Sequence, residues 1–154
     1  MDCDGVLTDG RLYFTDKGET MKVFHVRDGQ GIVSWHRAGG RSGIISGRNS
    51  RIVEIRAKEL GIEFVRQGTS DKIEAFEEIL SQAKVSAEET AFVGDDVPDV
   101  CLFERVGLAI AVADAVSEAK NAAHFITENK GGRGAVREIT DLLLQSKVEK
   151  TPRK

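Results

Sequence analysis

Short apolar runs alternate with amphipathic segments along most of the chain, and this alternation restricts the fold more than any other feature. We interpret the runs as buried strands at about residues 42–46, 62–65, 91–93, 107–112 and 124–126, with helices between them. Continuous apolar strands separated by helices are typical of a parallel sheet covered on both faces. The length of 154 residues suits one such unit. We therefore predict an α/β fold, a parallel sheet flanked by helices, in a single domain over residues 1–154.

Capping residues predict where the helices begin and end. Asp28 is predicted to begin the first helix, because a carboxylate at the N-cap accepts hydrogen bonds from free backbone N–H groups. Ser50 is predicted to begin the second helix and Gly61 to end it, since glycine readily adopts the left-handed conformation that closes a helix. Ser70 or Asp71 is predicted to begin the third helix.

Residues 11–26 are predicted to form a β-hairpin outside the parallel sheet. Leu12–Phe14 and Met21–Val26 are the predicted arms, and residues 15–18 the turn, in which Gly18 supplies a positive φ. A two-stranded ribbon with this many apolar side chains cannot bury both faces by itself. We therefore expect a flap over a site at the sheet edge, with an oligomer contact through its apolar face.

Composition excludes several classes of partner. The net charge of −3 gives no electrostatic case for binding nucleic acid or an anionic membrane. No apolar run approaches the ~18 residues of a membrane span, and no stretch has the pattern of a secretory signal. Cys3 and Cys101 lie far apart without metal-type spacing, so we interpret both as reduced. A cytoplasmic protein is expected.

The residues that could carry chemistry come where predicted strands end. They are Asp2 and Asp4 at the end of a further strand predicted at residues 1–4, Ser46 at the end of the strand 42–46, Lys72 after a glycine loop, and Asp95, Asp96 and Asp99 after the strand 91–93. Ligands of parallel α/β sheets bind at the carboxyl ends of the strands. We therefore expect carboxylates, a hydroxyl and an ammonium at one rim. The alternative, that Asp2 and Asp4 only cap a turn, does not account for the other three segments.

Together these groups are the ones that phosphoryl transfer requires. Mg²⁺ prefers oxygen ligands, often one or two carboxylates beside phosphate and water, and Asp2, Asp95 and the Asp4 carbonyl would supply them. Asp2 would attack phosphorus and form an aspartyl-phosphate. Asp4 would protonate the departing alcohol and later deprotonate the hydrolytic water. Three groups would neutralise charge on the phosphate oxygens: Ser46, the Gly47 N–H and Lys72.

The order of these motifs resembles that of the haloacid dehalogenase superfamily. The motifs are Asp-x-Asp-Gly-Val-Leu-Thr-Asp, Ser before Gly-Arg, Lys after Gln-Gly-x-x-Asp, and Gly-Asp-Asp-x-x-Asp. Residues 24–32, 67–72 and 131–138 further resemble the 3-deoxy-D-manno-octulosonate 8-phosphate phosphatase family. The resemblance implies a Rossmann-like sheet without a large cap domain, Mg²⁺ as the cofactor, and a homotetramer in which the hairpins associate. It also implies hydrolysis of that sugar phosphate on the way to lipopolysaccharide.

The resemblance assigns roles to individual residues. Asp2 is implied to be the nucleophile, Asp4 the general acid and base, and Asp95 a metal ligand together with both. Asp96 and Asp99 are implied to hold metal-bound water or the ammonium of the phosphate-binding lysine.

Two arginines bear on the substrate. Related phosphatases for nine-carbon keto-acid phosphates tend to carry Glu at the position of Arg48, whereas an arginine there suits a sugar carboxylate near the phosphate. The resemblance therefore favours the eight-carbon substrate, with a surface arginine at a helix start as the alternative. Arg27 is expected to line the same entrance, or to be an ordinary loop residue.

The resemblance also bears on the residues before Asp2 and on the C-terminal tail. Family members carry several apolar residues before the first Asp, whereas only Met1 precedes Asp2 here, so we expect most of the central strand to be lacking from the sheet. The glycine-rich stretch 131–134 lacks the ending of a nucleotide-binding loop. The tail that it opens, residues 131–154, is expected to reach toward a neighbouring active site.

Two other functions stay open. One is the same chemistry on another sugar phosphate, such as a sialic-acid-type nonulosonate 9-phosphate. The other is a non-catalytic relative that keeps the fold as an oligomerisation module, against which the four intact motifs argue. A phospho-acceptor receiver domain also combines Asp, a hydroxyl and Lys, but its acceptor Asp lies in mid-chain, whereas the key residue here is Asp2.

Overall fold

The computed structural model describes residues 1–149 and confirms the alternation of strands and helices. Its seven strands are β1 (Tyr13–Thr15), β2 (Gly18–Met21), β3 (Gly43–Ile45), β4 (Phe64–Arg66), β5 (Ala91–Gly94), β6 (Leu108–Ala111) and β7 (Phe125–Ile126). Its six α-helices are α1 (Val26–Arg37), α2 (Arg51–Leu60), α3 (Lys72–Ala83), α4 (Val97–Phe103), α5 (Ser117–Ala122) and α6 (Ala135–Glu149). Within the described residues, no helix is both long and apolar enough to cross a membrane.

The parallel strands form two hydrogen-bonded groups that meet at the first two residues. β3 pairs with β4, and β6 pairs with β5 on one side and β7 on the other, all in parallel. Between the groups, Ile45 N donates to Met1 O at 3.0 Å and Asp2 N donates to Val93 O at 2.9 Å. Met1 and Asp2 thus join the two groups and place Asp2 between the carboxyl ends of β3 and β5.

The core lies between the strands and two groups of helices. Helix α1 packs against α2 and α6, while α4 packs against α3 and α5. Phe92 of β5 meets Phe103 of α4 edge to face, with ring centroids 6.2 Å apart. Val6 from the loop after Asp2 is fully buried in the same core. Packing therefore fixes this loop to the body of the fold.

The hairpin is present, but its second arm was predicted too far along the chain. β1 and β2 pair antiparallel, and the turn is Asp16–Lys17 with Gly18 already in the strand at φ 101°. The second arm ends at Met21 instead of continuing to residue 26. Residues 22–25 leave the ribbon and run to helix α1, because Lys22 and Phe24 turn inward.

The prediction that Asp28 caps the first helix was wrong. His25 is the N-cap and accepts a hydrogen bond from Arg27 N, so Asp28 lies in the first turn. Its carboxylate instead accepts hydrogen bonds from Gly134 N at 3.2 Å and Arg137 N at 2.8 Å. Asp28 therefore caps helix α6, more than a hundred residues away, and is 1% exposed.

The other helix boundaries agree with the predictions, with one change of role. Asp71 caps α3 by accepting from Ile73 N and Glu74 N, and Gly61 ends α2 in the left-handed conformation at φ 69°. Ser50 occupies the N-cap of α2 but makes no capping hydrogen bond. Its hydroxyl donates to Glu19 of the hairpin instead.

The glycine-rich stretch packs against the loop after Asp2 in the same chain. Gly132 N donates to Val6 O at 2.9 Å, and Gly131 N donates to Asp114 Oδ1 at 2.9 Å. A Cβ atom on Gly131 would lie 1.6 Å from Gly5 O, so only glycine permits this approach. The approach of the tail to a neighbouring site stays a prediction, and its residues 150–154 lie outside the described part of the chain.

Candidate active site

The acidic loop, residues 2–10, begins at the rim and folds into a single turn. Cys3 O accepts hydrogen bonds from the N–H groups of Val6, Leu7 and Thr8 at 3.3, 2.9 and 3.1 Å. Gly5 has φ 94°, and a Cβ atom there would lie 2.0 Å from Asp95 Oδ2. A positive φ is unfavourable for other residues, so Gly5 lets the loop approach the end of β5. Cys3 is buried and Cys101 is partly buried, and both are free thiols, as predicted.

Three carboxylates converge where the acidic loop meets β5. Asp2, Asp95 and Asp99 each offer one oxygen, and these atoms lie within 4.8 Å of one another. Burial, together with the charges of Asp2 and Asp99, raises the pKa of Asp95 to about 8. Burial likewise raises the pKa of Asp2, although the ammonium of Lys72 opposes this. The raised pKa values mean that full ionisation of this cluster is unfavourable without a compensating cation.

One oxygen of this cluster has no partner. Asp95 Oδ1 is buried and makes no hydrogen bond to any of residues 1–149. An unpaired buried carboxylate oxygen is costly, and oxygen ligands at a site of surplus negative charge suit a hard divalent cation. The residues present therefore fit Mg²⁺, which Asp2 and Asp95 would hold.

The phosphate-binding lysine predicted from sequence lies directly beside the predicted nucleophile. Lys72 Nζ is 2.6 Å from Asp99 Oδ1 and 3.3 Å from Asp2 Oδ1. Burial acts to lower the pKa of Lys72, but Asp2 and Asp99 raise it above its usual value, so the side chain carries a positive charge. Asp99 Oδ2 accepts from Asp95 N at 2.9 Å and Asp96 N at 3.2 Å. Asp99 thus orients both the ammonium and the β5–α4 turn.

Ser46 and Gly47 follow β3 at the same rim. Ser46 N donates to Arg66 O at 2.8 Å, which continues the pairing of β3 with β4. Ser46 Oγ accepts from Arg48 N at 3.3 Å, and Gly47 is exposed. Because Ile45 N donates to Met1 O, β3 ends beside the residues that lead into the acidic loop, and Ser46 and Gly47 follow it there.

Asp4 faces two cations. Lys22 Nζ bonds to Asp4 Oδ1, and Arg48 Nε lies 3.6 Å from Asp4 Oδ2. Glu19 of β2 joins the group, since its Oε1 lies 3.0 Å from Lys22 Nζ and 3.7 Å from an Arg48 terminal nitrogen. The predicted acid/base is therefore connected to the hairpin.

Two of the predicted site residues lie apart from these contacts. Asp96 is exposed and caps α4 by accepting from Val97 N at 2.8 Å, and of Asp96 and Asp99 it is Asp99 that contacts Lys72. Arg27 is exposed and lines a groove of about 340 Å³ together with Arg133 and Arg137. Among residues 1–149, no contact joins Arg27 to Asp4 or Arg48, and its predicted role at the entrance stays a prediction.

Sequence reasoning missed Lys22, Glu19 and Ser50. Lys22 follows a short strand and is 18 residues from Asp4, with no motif to mark it. The only available signal is a charged residue at an inward position of an apolar arm. A buried lysine needs a partner, and that requirement could have directed attention to the nearby carboxylates.

Comparison with known proteins places this site in a family. The family model described as haloacid dehalogenase-like hydrolase matches residues 37–139. The chain belongs to this family. The match contains Ser46, Lys72 and Asp95, and the acidic loop precedes it. A curated relative, 3-deoxy-D-manno-octulosonate 8-phosphate phosphatase of Yersinia pestis, is 45% identical over 150 residues, which cover 96% of this chain and 80% of the relative.

Solved structures of haloacid dehalogenase-like hydrolases agree with the fold. The cobalt-bound deoxy-D-mannose-octulosonate 8-phosphate phosphatase of Haemophilus influenzae has a TM-score of 0.93 at 43% identity, covering 96% of this chain and 86% of that one. The corresponding enzyme of Moraxella catarrhalis, in complex with a magnesium ion, a phosphate ion and KDO, has a TM-score of 0.90 at 37% identity, covering 94% and 83%. The predicted Rossmann-like fold of the superfamily is confirmed.

Proposed function

We propose that this chain is a Mg²⁺-dependent phosphomonoesterase that hydrolyses 3-deoxy-D-manno-octulosonate 8-phosphate to the free sugar acid and phosphate. The observation that carries the proposal is the partly buried pair Asp2 and Asp95, with a buried oxygen of Asp95 that lacks a partner, next to a charged lysine. Asp2 and Asp95 would hold a divalent cation, which would compensate their charge and polarise the phosphate. The substrates in the names of the Yersinia and Moraxella relatives support the choice of sugar phosphate.

The proposed reaction has two steps, in which Asp2 and Asp4 have different roles. An oxygen of Asp2 attacks phosphorus, the bond between phosphorus and the sugar oxygen breaks, and Asp4 gives a proton to that oxygen. Water then attacks the aspartyl-phosphate and transfers a proton to Asp4. Phosphate leaves, and Asp2 is regenerated as the carboxylate.

Charge on the transferred phosphoryl group is met by groups at the same rim. Lys72 is tethered by Asp99 at 2.6 Å and so presents its ammonium in a fixed direction. The Ser46 hydroxyl and the exposed Gly47 N–H supply further donors after β3. Preorganised donors of this kind stabilise a transition state without reorganisation at the moment of reaction.

Arg48 is the residue that we expect to recognise the sugar carboxylate. Its Nε atom faces Asp4 Oδ2 at 3.6 Å, and its side chain is 41% exposed, so the guanidinium can be reached by a ligand. Arginine binds carboxylates with two parallel hydrogen bonds. This favours a keto-acid sugar phosphate over a neutral one, although a nine-carbon keto acid would present the same group. Arg27, which lines the groove described above, would contact the substrate at the entrance of the active site.

We further propose a homotetramer in which the hairpins associate, in the cytoplasm. Leu12, Phe14, Met21 and Val23 of the hairpin region are 46, 56, 47 and 49% exposed. Contiguous exposed apolar side chains mark interaction surfaces. Two free cysteines accord with a reducing compartment.

A phosphate-release screen over sugar phosphates with added Mg²⁺ tests the proposal. Wild type should prefer the eight-carbon keto-acid phosphate, and Asp2→Asn should be inactive yet folded, because an amide cannot form the intermediate. Asp16→Asn in the exposed hairpin turn is the matched control and should keep wild-type rates. Full activity of Asp2→Asn would refute the nucleophile, equal rates on unrelated phosphates would refute the specificity, and no turnover of any phosphate would favour the oligomerisation module.

A further inference from the structure

A buried lysine connects the hairpin to the predicted acid/base. Lys22 directly follows β2, and its side chain is 1% exposed. Its ammonium bonds to Asp4 Oδ1 and lies 3.0 Å from Glu19 Oε1. Exposed ion pairs contribute little, but a buried ammonium left without its partners is strongly unfavourable. Lys22 therefore holds both carboxylates in definite positions.

Glu19 makes the corresponding connection to Arg48. Its Oε2 accepts a hydrogen bond from Ser50 Oγ, and its Oε1 lies 3.7 Å from an Arg48 terminal nitrogen. The Arg48 guanidinium carbon also lies 5.5 Å from the centroid of the Phe14 ring. Two groups of the hairpin thus border Arg48, while Ser50 anchors Glu19 to the start of α2.

These contacts form a closed set of charges. Lys22 and Arg48 are positive, Asp4 and Glu19 negative, and each cation meets both anions within 4 Å. Glu19 in the hairpin and Lys22 directly after it therefore contact the two groups to which we assign proton transfer and substrate recognition.

We infer that Lys22 and Glu19 are positioning residues of the active site. Lys22 fixes the Asp4 carboxylate for proton transfer, and Glu19 fixes the Arg48 guanidinium for the sugar carboxylate. The hairpin then positions both the group that transfers the proton and the group that recognises the sugar carboxylate. This inference depends on the proposed function for the roles of Asp4 and Arg48.

Two substrates separate the two roles: the eight-carbon keto-acid phosphate and p-nitrophenyl phosphate, which has no carboxylate. Lys22→Met should lower kcat on both by about a hundredfold with little change in KM, because Asp4 serves both reactions. Glu19→Gln should raise KM about tenfold for the sugar acid only, since Arg48 loses its alignment. Lys17→Met, an exposed lysine in the hairpin turn, is the control and should match wild type.

Two kinetic results would contradict the inference. Wild-type kcat in Lys22→Met, or an equal effect of Glu19→Gln on both substrates, would overturn it. If Lys22→Met does not fold, the substrate dependence of Glu19→Gln carries the test. If wild type hydrolyses neither substrate, the proposed function fails, and amide hydrogen exchange still tests the link: residues 13–21 should exchange about tenfold faster in Glu19→Gln than in Lys17→Met, and equal exchange would refute it.

Discussion

Replacing Asp95 by Asn should stabilise the metal-free protein while abolishing its activity. Asp95 lies near Asp2 and Asp99, and burial together with these charges raises its pKa to about 8. Asparagine has nearly the same shape and no charge. The substitution therefore removes the free-energy cost of burying this carboxyl group. It also removes a ligand for Mg²⁺.

The size of the effect follows from the pKa. In the unfolded chain Asp95 has its ordinary pKa of 3.8 and is ionised at neutral pH, whereas the folded protein retains the proton up to about pH 8. Each pKa unit corresponds to 1.36 kcal/mol, so the folded state loses at most about 4 kcal/mol at pH 7. Lys72 and partial exposure of the site reduce this, and we expect Asp95→Asn to gain about 1–3 kcal/mol.

The direction of the Asp95 pKa shift determines how stability depends on pH. Between about pH 4 and pH 8 the folded protein binds more protons than the unfolded chain, so the stability of the metal-free wild type falls as pH rises. The gain from Asp95→Asn should be small near the lower limit and largest near the upper one. With saturating Mg²⁺ the order should reverse, because only the wild type gains the binding free energy.

Denaturant unfolding in EDTA and in Mg²⁺, at about pH 5 and about pH 8, measures these differences. Asp16→Asn in the exposed hairpin turn is the control for loss of a carboxylate and should show neither the pH-dependent gain nor the reversal. A metal-free Asp95→Asn protein no more stable than wild type at the higher pH would refute the claim that the cluster holds uncompensated charge. Stabilisation of both proteins by Mg²⁺ to the same extent would refute Asp95 as a ligand.

Three further predictions concern the elements around the site. Gly131→Ala should cost about 1–3 kcal/mol and lower kcat, because its Cβ would lie 1.6 Å from Gly5 O; thermal melts and phosphate release measure both. Asp28→Ala should cost about 1–2 kcal/mol by denaturant unfolding, since α6 loses its N-cap. Met21→Glu on the exposed face of the hairpin should dissociate the proposed tetramer in light scattering, and an unchanged mass would argue against hairpin association.

Local signals in the sequence predicted the architecture well. Asp71 and Gly61 begin and end their helices as expected, because a cap depends on backbone groups within a few residues. The meeting of Asp2, Lys72 and Asp95 was also predictable, since parallel strands bring their carboxyl ends to one edge.

Side-chain partners far apart in sequence were not predictable in this way. Asp28 had the composition of a cap for its own helix, yet it caps α6 because α1 and α6 pack side by side. Lys22 finds Asp4 only because the chain leaves the hairpin after Met21 and turns inward. In both cases a local rule identified a polar residue that needs a partner, and tertiary packing chose the partner.

Contacts from several elements hold Asp2 in position. Two backbone hydrogen bonds hold Met1 and Asp2 between β3 and β5, and Lys72 holds the Asp2 carboxylate. The loop that follows is fixed by contacts that only glycine allows, between Gly5 and Asp95 and between Gly131 and the backbone of Gly5. Because these contacts converge on the carboxylates, the geometry of the site depends on close backbone packing around the acidic loop. Substitutions at these glycines should therefore impair catalysis.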